Sequence, residues 1–330
     1  MNIINLVNSI SITSIPSRWT DFLNRNSKDS NTSLIELKEM KKIFSFKKEE
    51  TIIHGHHVKS MTIFLIFNFF YNYKNIYTVH GSYLYLSKIN KTLFSFVINN
   101  ADFIVFVNTT LYDQLPLKIK NKIVKKYQII FNGVENECKF ENIDVLKKYN
   151  LDKKKTYIFH PARFVEEKNH TIVIGGFNLA SKINHDLRLV LAGEGKLRPI
   201  IEAKIAELKL EEKVNLIGLI DKDEVYNFYK SAEVFIMPSV SEGLNVSFLE
   251  ALSMNCKIVV SNINQFTQPV ESSNFSFDEL NITLADPNDI HSISEAFLKS
   301  VHKEKLNLKE NPFSIDNMIS SYLNLYKKVL

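Results

Sequence analysis

The sequence predicts an α/β protein with two Rossmann-like domains, each built on a parallel sheet that helices cover. Short apolar runs alternate with longer helical patterns along the whole chain, which is typical of parallel sheets with helices on both faces. The 330 residues exceed the length at which a single hydrophobic core usually continues to grow. We therefore expect a first domain over residues 1–150, a second domain over 151–310 and a terminal helix over 311–330.

The apolar runs also indicate where the individual elements lie. In the first half the predicted strands are Ile3–Val7, Thr51–His54, Ile76–His80, Phe103–Val107 and Gln128–Phe131. In the second half they are Tyr157–His160, Leu187–Ala192, Val214–Ile217, Glu233–Met237, Ile258–Ser261 and Ile282–Leu284. The Lys-rich stretch Leu146–Lys155 predicts a helix with an exposed linker, and Ile315–Leu330 predicts an amphipathic helix. None of the predicted strands lies in the polar run Asn24–Ser33.

Composition narrows the class of protein. A hydrophobic content of 45% with 23% charged residues is ordinary for a soluble globular protein. The net charge of +5 is mild and the lysines are widely spread, so we expect no nucleic-acid partner. Cys138 and Cys256 lie far apart without metal-ligand spacing, which suits a reducing compartment. No secretion signal is recognised at the N-terminus, and the apolar stretch Met61–Tyr73 is too short to span a bilayer. These features predict a cytoplasmic protein.

The most informative segment runs from Ser239 to Leu252. An apolar run ends at Pro238, a polar turn with one glycine follows, and an apolar periodic stretch begins at Val246. This order predicts a strand, a turn and a helix. The unpaired N–H groups and the dipole at a helix N-terminus favour an anion. Glu250 lies about one turn inside this helix, where its carboxylate is suited to accept hydrogen bonds from a ribose. The segment therefore fits a nucleotide diphosphate with a further group attached.

A second motif follows the first predicted strand of the second half. In the run Phe159–Asn169, Arg163 and Lys168 lie five positions apart on one predicted loop. A guanidinium and an ammonium on one loop can hold a diphosphate and offset charge on a leaving nucleotide without a metal ion. Taken alone, the pair also fits a solvated loop. Together with Glu242 and Glu250, the diphosphate interpretation is favoured.

Two further segments are interpreted as mainly structural. Gly193 and Gly195 follow a predicted strand and allow a tight turn, but the third glycine of a dinucleotide fingerprint is missing. Asp221 and Asp223 form an Asp-x-Asp pair that Mg²⁺ could bind. However, Asp221 followed by Glu224 favours a helix N-cap with its capping box, so we predict no metal site.

The histidines of the first half leave two interpretations open. His80 ends a predicted strand, where it is either a hydrogen-bonded structural residue or part of a ligand site. His54, His56 and His57 crowd another strand end. Without a fourth ligand or a nearby cysteine they are interpreted as structural, or as lining the acceptor side.

These segments together resemble family 4 of the retaining, nucleotide-sugar-dependent glycosyltransferases, which have the GT-B fold. Glu242 and Glu250 resemble the family's E-x7-E signature, and Arg163 with Lys168 resembles its Arg and Lys pair. Phe131–Val134 resembles the Asn-Gly-Val turn that closes the family's first domain. The resemblance implies two Rossmann-like domains with parallel sheets facing each other across a cleft, and a terminal helix that crosses back to the first domain.

The resemblance also implies roles for individual residues. Arg163 and Lys168 would hold the diphosphate, Glu250 the ribose and Glu242 the sugar hydroxyls, while His80 would face the donor sugar. The expected catalytic residues are Glu242, Arg163, Lys168 and His80. The expected donor-binding residues are Glu250, Gly243, Leu244, Asn245, Val246, Gly193, Gly195 and Gly218. No cofactor and no metal ion are implied.

The implied reaction is transfer of a hexose, with retention and without a metal, from a UDP- or GDP-sugar to an acceptor hydroxyl. A glycan or lipid-linked glycan acceptor is expected, in the synthesis of a bacterial surface polysaccharide such as lipopolysaccharide or capsule. The basic cluster Lys118–Lys126 indicates either a solvated helix face or weak peripheral attachment at the inner face of the cytoplasmic membrane.

One departure from the family pattern bears on the acceptor. Many relatives have a Gly-rich loop after the first strand, whereas the run Asn8–Arg18 contains no glycine. Two other functions stay open. One is a nucleotide-sugar epimerase on the same fold. The other is a non-catalytic protein that binds a nucleotide sugar or a glycan, and the missing glycine is the best argument for it.

Overall fold

The computed structural model describes the chain except residues 9–19, 22–23, 25–30, 135–139, 241–245, 272–274 and 305–310, and except the side chain of Tyr85. The strands of the described residues form two six-stranded sheets in which every pairing between neighbours is parallel. The chain divides into two compact units. The first comprises residues 1–132 and 316–330, and the second comprises residues 133–315.

The first unit contains one of the two sheets. Its strands are β1 (Asn2–Val7), β2 (Asn31–Glu36), β3 (Thr51–Gly55), β4 (Lys74–Val79), β5 (Phe103–Phe106) and β6 (Tyr127–Ile129). Its helices before the second unit are α1 (Val58–Tyr71), α2 (Lys88–Asn100), α3 (Thr109–Asp113) and α4 (Leu117–Ile123), with 3-10 helices at Leu37–Ser45, Lys48–Glu50 and Tyr83–Tyr85. The sheet order is β2-β1-β3-β4-β5-β6. The direction of winding therefore reverses between β1 and β3, the place where open α/β sheets bind ligands.

Strand β2 lies at an edge of the first sheet, and the sequence did not predict it. It begins inside the polar run Asn24–Ser33, and only Thr32 and Ile35 of its side chains are buried. The five strands predicted for this unit are confirmed as β1, β3, β4, β5 and β6. Four of them, β1, β3, β4 and β5, are almost fully buried. An edge strand covered on one side lacks that signal.

The second unit contains the other sheet. Its strands are β7 (Thr156–Pro161), β8 (Leu187–Ala192), β9 (Val214–Gly218), β10 (Val234–Met237), β11 (Lys257–Ser261) and β12 (Ile282–Ala285). Its helices are α5 (Val145–Lys148), α6 (His170–Ile183), α7 (Arg198–Glu207), α8 (Lys222–Ser231), α9 (Val246–Ser253), α10 (Asn264–Glu271) and α11 (Ile290–His302), with a 3-10 helix at Glu166–Lys168. The sheet order β12-β11-β10-β7-β8-β9 reverses its winding between β10 and β7. All six strands predicted for this half are confirmed.

The terminal helix α12 (Ile315–Val329) confirms the amphipathic pattern. Its apolar side, which includes Met318, Tyr322, Leu325 and Tyr326, is buried. The segment before it pairs with the segment that follows Gly133, since Val134 donates to the Phe313 carbonyl at 2.9 Å and accepts from Ile315 at 2.8 Å. A Cβ on Gly133 would lie 2.6 Å from the Ser314 carbonyl oxygen, so this close pairing requires glycine.

Across the part of the chain that the structure describes, no helix is both long enough and apolar enough to cross a membrane.

Candidate functional site

The second unit has an open pocket at the carboxyl ends of β7 and β10, where the winding of its sheet reverses. Its volume is about 340 Å³. Among the described residues, those that line it are His160, Pro161, Ala162, Arg163, Lys168, Met237 and Ser247. Arg163 and Lys168, which the sequence singled out as a pair, therefore line one pocket. The start of α9 contributes Ser247 to the same pocket.

The loop that carries Arg163 is fixed on both sides by backbone hydrogen bonds. Ala162 donates to the Ala192 carbonyl at 2.9 Å, and Phe164 donates to the Glu194 carbonyl at 2.9 Å. The Phe164 side chain is fully buried in the core, whereas Arg163 between these two residues is exposed. The sequence thus places an apolar anchor directly beside the cation, which orients the guanidinium outward.

Glycines at the end of β8 make this pairing of loops possible. A Cβ on Gly193 would lie 2.0 Å from the Ala162 carbonyl oxygen, and one on Gly195 would lie 2.5 Å from the Phe164 carbonyl oxygen. Their φ angles of 152° and 158° also favour glycine. Gly193 donates to the Gly218 carbonyl at 2.8 Å, which ties in the end of β9. Their interpretation as a structural turn is confirmed, and direct contacts of these glycines with a nucleotide stay a prediction.

Lys168 is held through its backbone. It ends the 3-10 helix Glu166–Lys168, and its carbonyl lies 3.1 Å from Nε2 of His160. Nδ1 of His160 lies 3.0 Å from the Ile236 carbonyl on β10. Burial lowers the pKa of His160 to about 4, so the ring is neutral near pH 7 and donates to one carbonyl at a time. Val240 also donates to the Glu167 carbonyl at 3.1 Å. This role of His160 is not predictable from the sequence, because a histidine inside an apolar strand carries no local sign of it.

Glu250 lies on α9 and is buried. The Tyr226 hydroxyl donates to its Oε1 at 3.0 Å, and the Lys222 ammonium lies 3.8 Å from the same oxygen. Both partners come from α8. Glu250 is not among the residues that line the 340 Å³ pocket, although Ser247, one turn earlier on the same helix, is. The carboxylate is therefore held in position by two side chains of α8.

Part of the predicted site lies outside the described residues. Glu242, Gly243, Leu244 and Asn245 fall in the segment 241–245, and most of the glycine-free run Asn8–Arg18 falls in 9–19. Val246 is the first residue of α9. The roles assigned to these residues stay predictions.

In the first unit, the strand ends carry a cluster of histidines. His80 follows β4, and its Nε2 lies 3.0 Å from Nδ1 of His56. His54 bonds the Tyr326 hydroxyl and the Thr78 hydroxyl, both at 2.7 Å. Burial lowers the pKa of His80 to about 4 and the pKa values of His54 and His56 well below their usual range. All three rings are therefore neutral near pH 7, and the structural interpretation of His54 and His56 is confirmed.

The Asp-x-Asp pair begins a helix. Asp221 is the N-cap of α8, and its N–H donates to the Glu224 carboxylate at 3.0 Å, which confirms the predicted capping box. Among the described residues, no group of three or more His, Cys, Asp or Glu side chains is arranged to hold a metal ion.

Comparison with known proteins gives the relationships of this chain. Residues 142–312, more than half of the chain, match the model of the family described as glycosyl transferases group 1. One relative is an N-acetylgalactosaminyltransferase of Campylobacter jejuni whose name specifies a diphospho-undecaprenol-linked sugar acceptor. It is 30% identical over 53% of this chain and 46% of its own length. Another is an O-antigen biosynthesis glycosyltransferase of Escherichia coli, which is 26% identical over 62% of this chain and 58% of its own length. The alignments thus span about half of these two relatives.

Solved structures give the fold. Sucrose-phosphate synthase from Thermosynechococcus elongatus matches with a TM-score of 0.78 at 14% identity, over 99% of this chain and 98% of the other. The Anabaena protein HepE in complex with UDP and glucose matches with a TM-score of 0.77 at 13% identity, over 99% of this chain and all of the other. At this identity the likeness shows the fold alone, and it confirms the predicted GT-B class. With the family match over its second unit, this chain belongs to the group 1 glycosyl transferases.

Proposed function

We propose that this protein transfers a sugar from a nucleotide-diphosphate sugar to an acceptor hydroxyl, with retention of configuration and without a metal ion. The observation that carries the proposal is the pocket in which Arg163 and Lys168 meet the start of α9. Two cations and a helix N-terminus are complementary to a diphosphate. The pocket also lies where the winding of the sheet reverses, as nucleotide sites in open α/β sheets do.

The two cations have different parts in this proposal. Arg163 presents a planar guanidinium that can bond two phosphate oxygens, and Lys168 presents a point charge. As the bond between the sugar and the phosphate breaks, negative charge grows on the leaving diphosphate, and both cations stabilise it. The backbone bonds that fix both residues mean that little reorganisation is needed during the reaction.

Further contacts are assigned by resemblance to the family. Glu250 binds the ribose, Glu242 the sugar hydroxyls, and Gly243 to Val246 supply backbone amides near the donor. His80 bonds the donor sugar. The fixed position of Glu250 beside Tyr226 and Lys222 supports its assignment. UDP and UDP-glucose are bound by the Anabaena protein of similar fold, which supports a UDP- or GDP-sugar as the donor.

Thermal unfolding in the presence of UDP, GDP, ADP and CMP tests the donor site. A nucleotide at about a hundred times its Kd adds about 2.7 kcal/mol to the stability of the native protein. Arg163→Ala and Lys168→Ala should each weaken binding about ten- to a hundredfold, because each removes charge-assisted hydrogen bonds to phosphate. The matched control is Lys196→Ala, since this exposed lysine pairs with Glu166 on the same face without lining the pocket.

Unchanged affinity in both cation variants would contradict the diphosphate site. Conversion of the donor sugar to its epimer without any acceptor would instead favour the epimerase, and binding without turnover would favour the non-catalytic alternative. Transfer of the sugar in the presence of excess EDTA is expected.

We further propose a glycan or lipid-linked glycan acceptor in surface polysaccharide synthesis, and attachment at the inner face of the cytoplasmic membrane. The name of the Campylobacter relative specifies a lipid-linked acceptor for that protein. In this chain, charge is uneven between the units. The first unit has 19 Lys and Arg against 9 Asp and Glu, whereas the second has 22 against 27. A surplus of lysines attracts a protein to anionic lipid.

Helix α1 supplies the apolar part of this surface. Its outward face carries Ile66, Phe67 and Phe70 at helical spacing, and Phe69 beside them is 85% exposed. No Asp or Glu occurs between residues 51 and 101, a stretch that includes Lys59, Lys74, Lys88 and Lys91. An apolar helix face with lysines and without acids matches the surface of an anionic bilayer. A second copy of this chain is a poorer partner for this surface, because its own lysines would repel those of the first copy.

Co-sedimentation with vesicles tests the attachment. We expect binding to vesicles of equal parts phosphatidylglycerol and phosphatidylcholine, weak binding to phosphatidylcholine alone, and at least tenfold weaker binding for a Phe69→Ser and Phe70→Ser double variant. Ile183→Ser is the matched control, because Ile183 is a 71% exposed side chain on a helix of the second unit. Equal binding of the double variant and the wild type would contradict attachment through α1.

A further inference from the structure

A line of side-chain hydrogen bonds in the first unit leads from the core to His80. Asn5 Nδ2 donates to the Thr20 hydroxyl at 2.9 Å, and Asn5 Oδ1 lies 3.0 Å from Nε2 of His56. Nδ1 of His56 then lies 3.0 Å from Nε2 of His80. The two imidazole planes differ by only 27°, which suits an in-plane N–H···N bond. Asn5 comes from β1, and the two histidines follow directly on β3 and β4.

The hydrogen bonds of Asn5 determine which atom donates in each later bond of the line. Because Asn5 turns its amide nitrogen toward Thr20, it offers an oxygen to His56, and this oxygen can only accept. Nε2 of His56 must therefore carry a hydrogen. Burial lowers the pKa of His56 well below its usual range, so the ring is neutral and Nδ1 holds a lone pair. The bond to His80 is then donated by Nε2–H of His80.

His80 is also neutral near pH 7. Burial, followed by the nearby His57, lowers the pKa of His80 to about 4. A neutral His80 that donates through Nε2 has a lone pair on Nδ1. The other ring packed against His56 is His54, at 4.2 Å between centroids, and its pKa is also lowered by burial. The histidines that face one another here are therefore neutral near pH 7, with the exposed His57 beside them.

His80 is the most accessible of the three histidines His54, His56 and His80. His80 is only half-buried, whereas His54 and His56 are buried. At the next residue, Gly81, an added Cβ would meet no atom of the described residues within 4 Å. Among the described residues, no hydrogen-bond partner of Nδ1 of His80 is found. The line thus ends with an acceptor nitrogen at the carboxyl edge of the sheet.

We propose that Asn5 and His56 are positioning residues that hold neutral His80 in the Nε2–H tautomer, so that its Nδ1 accepts a hydrogen bond from a substrate hydroxyl. The identity of the substrate as a sugar rests on the proposed function, whereas the tautomer does not. An acceptor at this position selects for a hydroxyl group, since a carboxylate or an ether oxygen has no hydrogen to donate. Sugars that carry a carboxylate at this position would meet lone-pair repulsion and bind poorly.

Nitrogen-15 NMR of the ligand-free protein labelled at histidine tests the tautomer directly. At pH 8 the expected spectrum has a protonated Nε2 and an unprotonated Nδ1 for both His56 and His80. Nδ1–H at His80, which the opposite orientation of the Asn5 amide would produce, overturns the proposal. His54 is an internal control for folding, because its bonds to Tyr326 and Thr78 are separate from the line.

Matched pairs of variants test the two positioning residues. Asn5→Asp keeps an acceptor beside His56 and should keep the tautomer of His80, whereas Asn5→Leu should give a mixture. His56→Gln can accept from His80 and donate to Asn5, so it should also keep the tautomer, whereas His56→Leu should lose it. Retention of pure Nε2–H in both leucine variants would show that the line does not position His80.

The functional consequence is measured separately. The leucine variants should raise the KM for the sugar donor about tenfold. They should leave the Kd of the free nucleotide unchanged, because the free nucleotide lacks the transferred sugar whose hydroxyl bonds His80. Asn5→Asp and His56→Gln should remain within about twofold of the wild type. A loss of nucleotide affinity in all four variants would indicate a structural defect and overturn the positioning role. If no nucleotide binds to the wild type, the proposed function fails while the NMR result still decides the tautomer.

Discussion

The two units share one architecture, but the carboxyl ends of their strands carry different kinds of side chain. Each has six parallel strands with one reversal of winding. In the second unit this edge carries exposed or half-buried cations, Arg163 and Lys168, beside an open pocket. In the first unit it carries neutral histidines, of which His54 and His56 are buried. One scaffold thus presents fixed charge at one site and a fixed hydrogen-bond direction at the other.

The two edges also differ in how they are held in place. The cationic edge depends on backbone contacts that glycine permits, since Gly193 and Gly195 allow the neighbouring loops to touch. The histidine edge depends on side chains, and two of them, Tyr322 and Tyr326, come from the terminal helix. Substitutions should therefore damage the two sites by different routes.

The largest expected effect is that of Gly193→Ala. The new Cβ would lie 2.0 Å from the Ala162 carbonyl oxygen, so the backbone on one side must move. We expect a loss of about 3 kcal/mol in the free energy of unfolding and a loss of nucleotide binding, because the Arg163 loop shifts. Gly81→Ala is the matched control in the first unit, since its Cβ would meet nothing within 4 Å. Equal unfolding midpoints for the two variants would show that the loops are not in close contact.

The next largest effect is expected at the buried His170, which should make the native protein less stable as the pH falls. Both of its ring nitrogens lack partners among the described residues, and burial lowers its pKa to about 2. Below about pH 6.5 the unfolded chain binds a proton that the native ring does not, so stability falls by up to about 1.4 kcal/mol per pH unit. His170→Phe should remove this loss. Its stability relative to the wild type should rise by about 2 kcal/mol between pH 7 and pH 5.

Denaturant titrations at several pH values measure this slope. His291→Asn, at an exposed position on α11, should keep the slope of the wild type. A slope for His170→Phe that equals the wild-type slope would mean that His170 does not remain neutral in the native protein.

A smaller effect is expected for Tyr326→Phe in the first unit. This substitution removes the hydroxyl that lies 2.7 Å from Nδ1 of His54 and leaves a buried ring nitrogen without that partner. We expect a loss of about 1–2 kcal/mol in thermal or denaturant unfolding. Tyr71→Phe, at an exposed tyrosine of α1, should change stability by less than about 0.5 kcal/mol. If both variants unfold alike, the terminal helix does not stabilise the histidine edge through this bond.

The sequence predicted the fold wherever burial is reflected in composition. Most of the eleven predicted strands were recognised because they are buried, largely apolar runs, and β2 was missed because it is an edge strand with polar residues. The pairing of Arg163 with Lys168 was also predictable, since both lie on one short loop. The family resemblance, and not their spacing alone, gave them a role.

The remaining contacts depend on residues that are far apart in the chain. Asn5 and His56 are 51 positions apart, and His54 and Tyr326 are 272 apart. No local spacing indicates such bonds, since they form only when parallel strands bring distant strand ends together. The tautomer of His80 is likewise set by neighbours outside its own strand. Sequence patterns therefore predict the cationic edge far better than the histidine edge.

The smallest expected effect is that of Asp221→Ala at the start of α8, and it tests the choice between a cap and a metal site. Loss of the capping box should cost about 1 kcal/mol of stability. Helix α8 also carries Tyr226 and Lys222, which contact Glu250, so slight fraying of the first turn should weaken nucleotide binding no more than about twofold. Asp221→Asn and Asp221→Ser keep a capping side chain and should restore stability, whereas a Mg²⁺ site would lose a carboxylate ligand in all three variants. Stability or transfer that depends on Mg²⁺ in the wild type, and is lost equally in Asp221→Ala and Asp221→Ser, would overturn the capping role, because a serine cap satisfies the helix but does not replace a carboxylate.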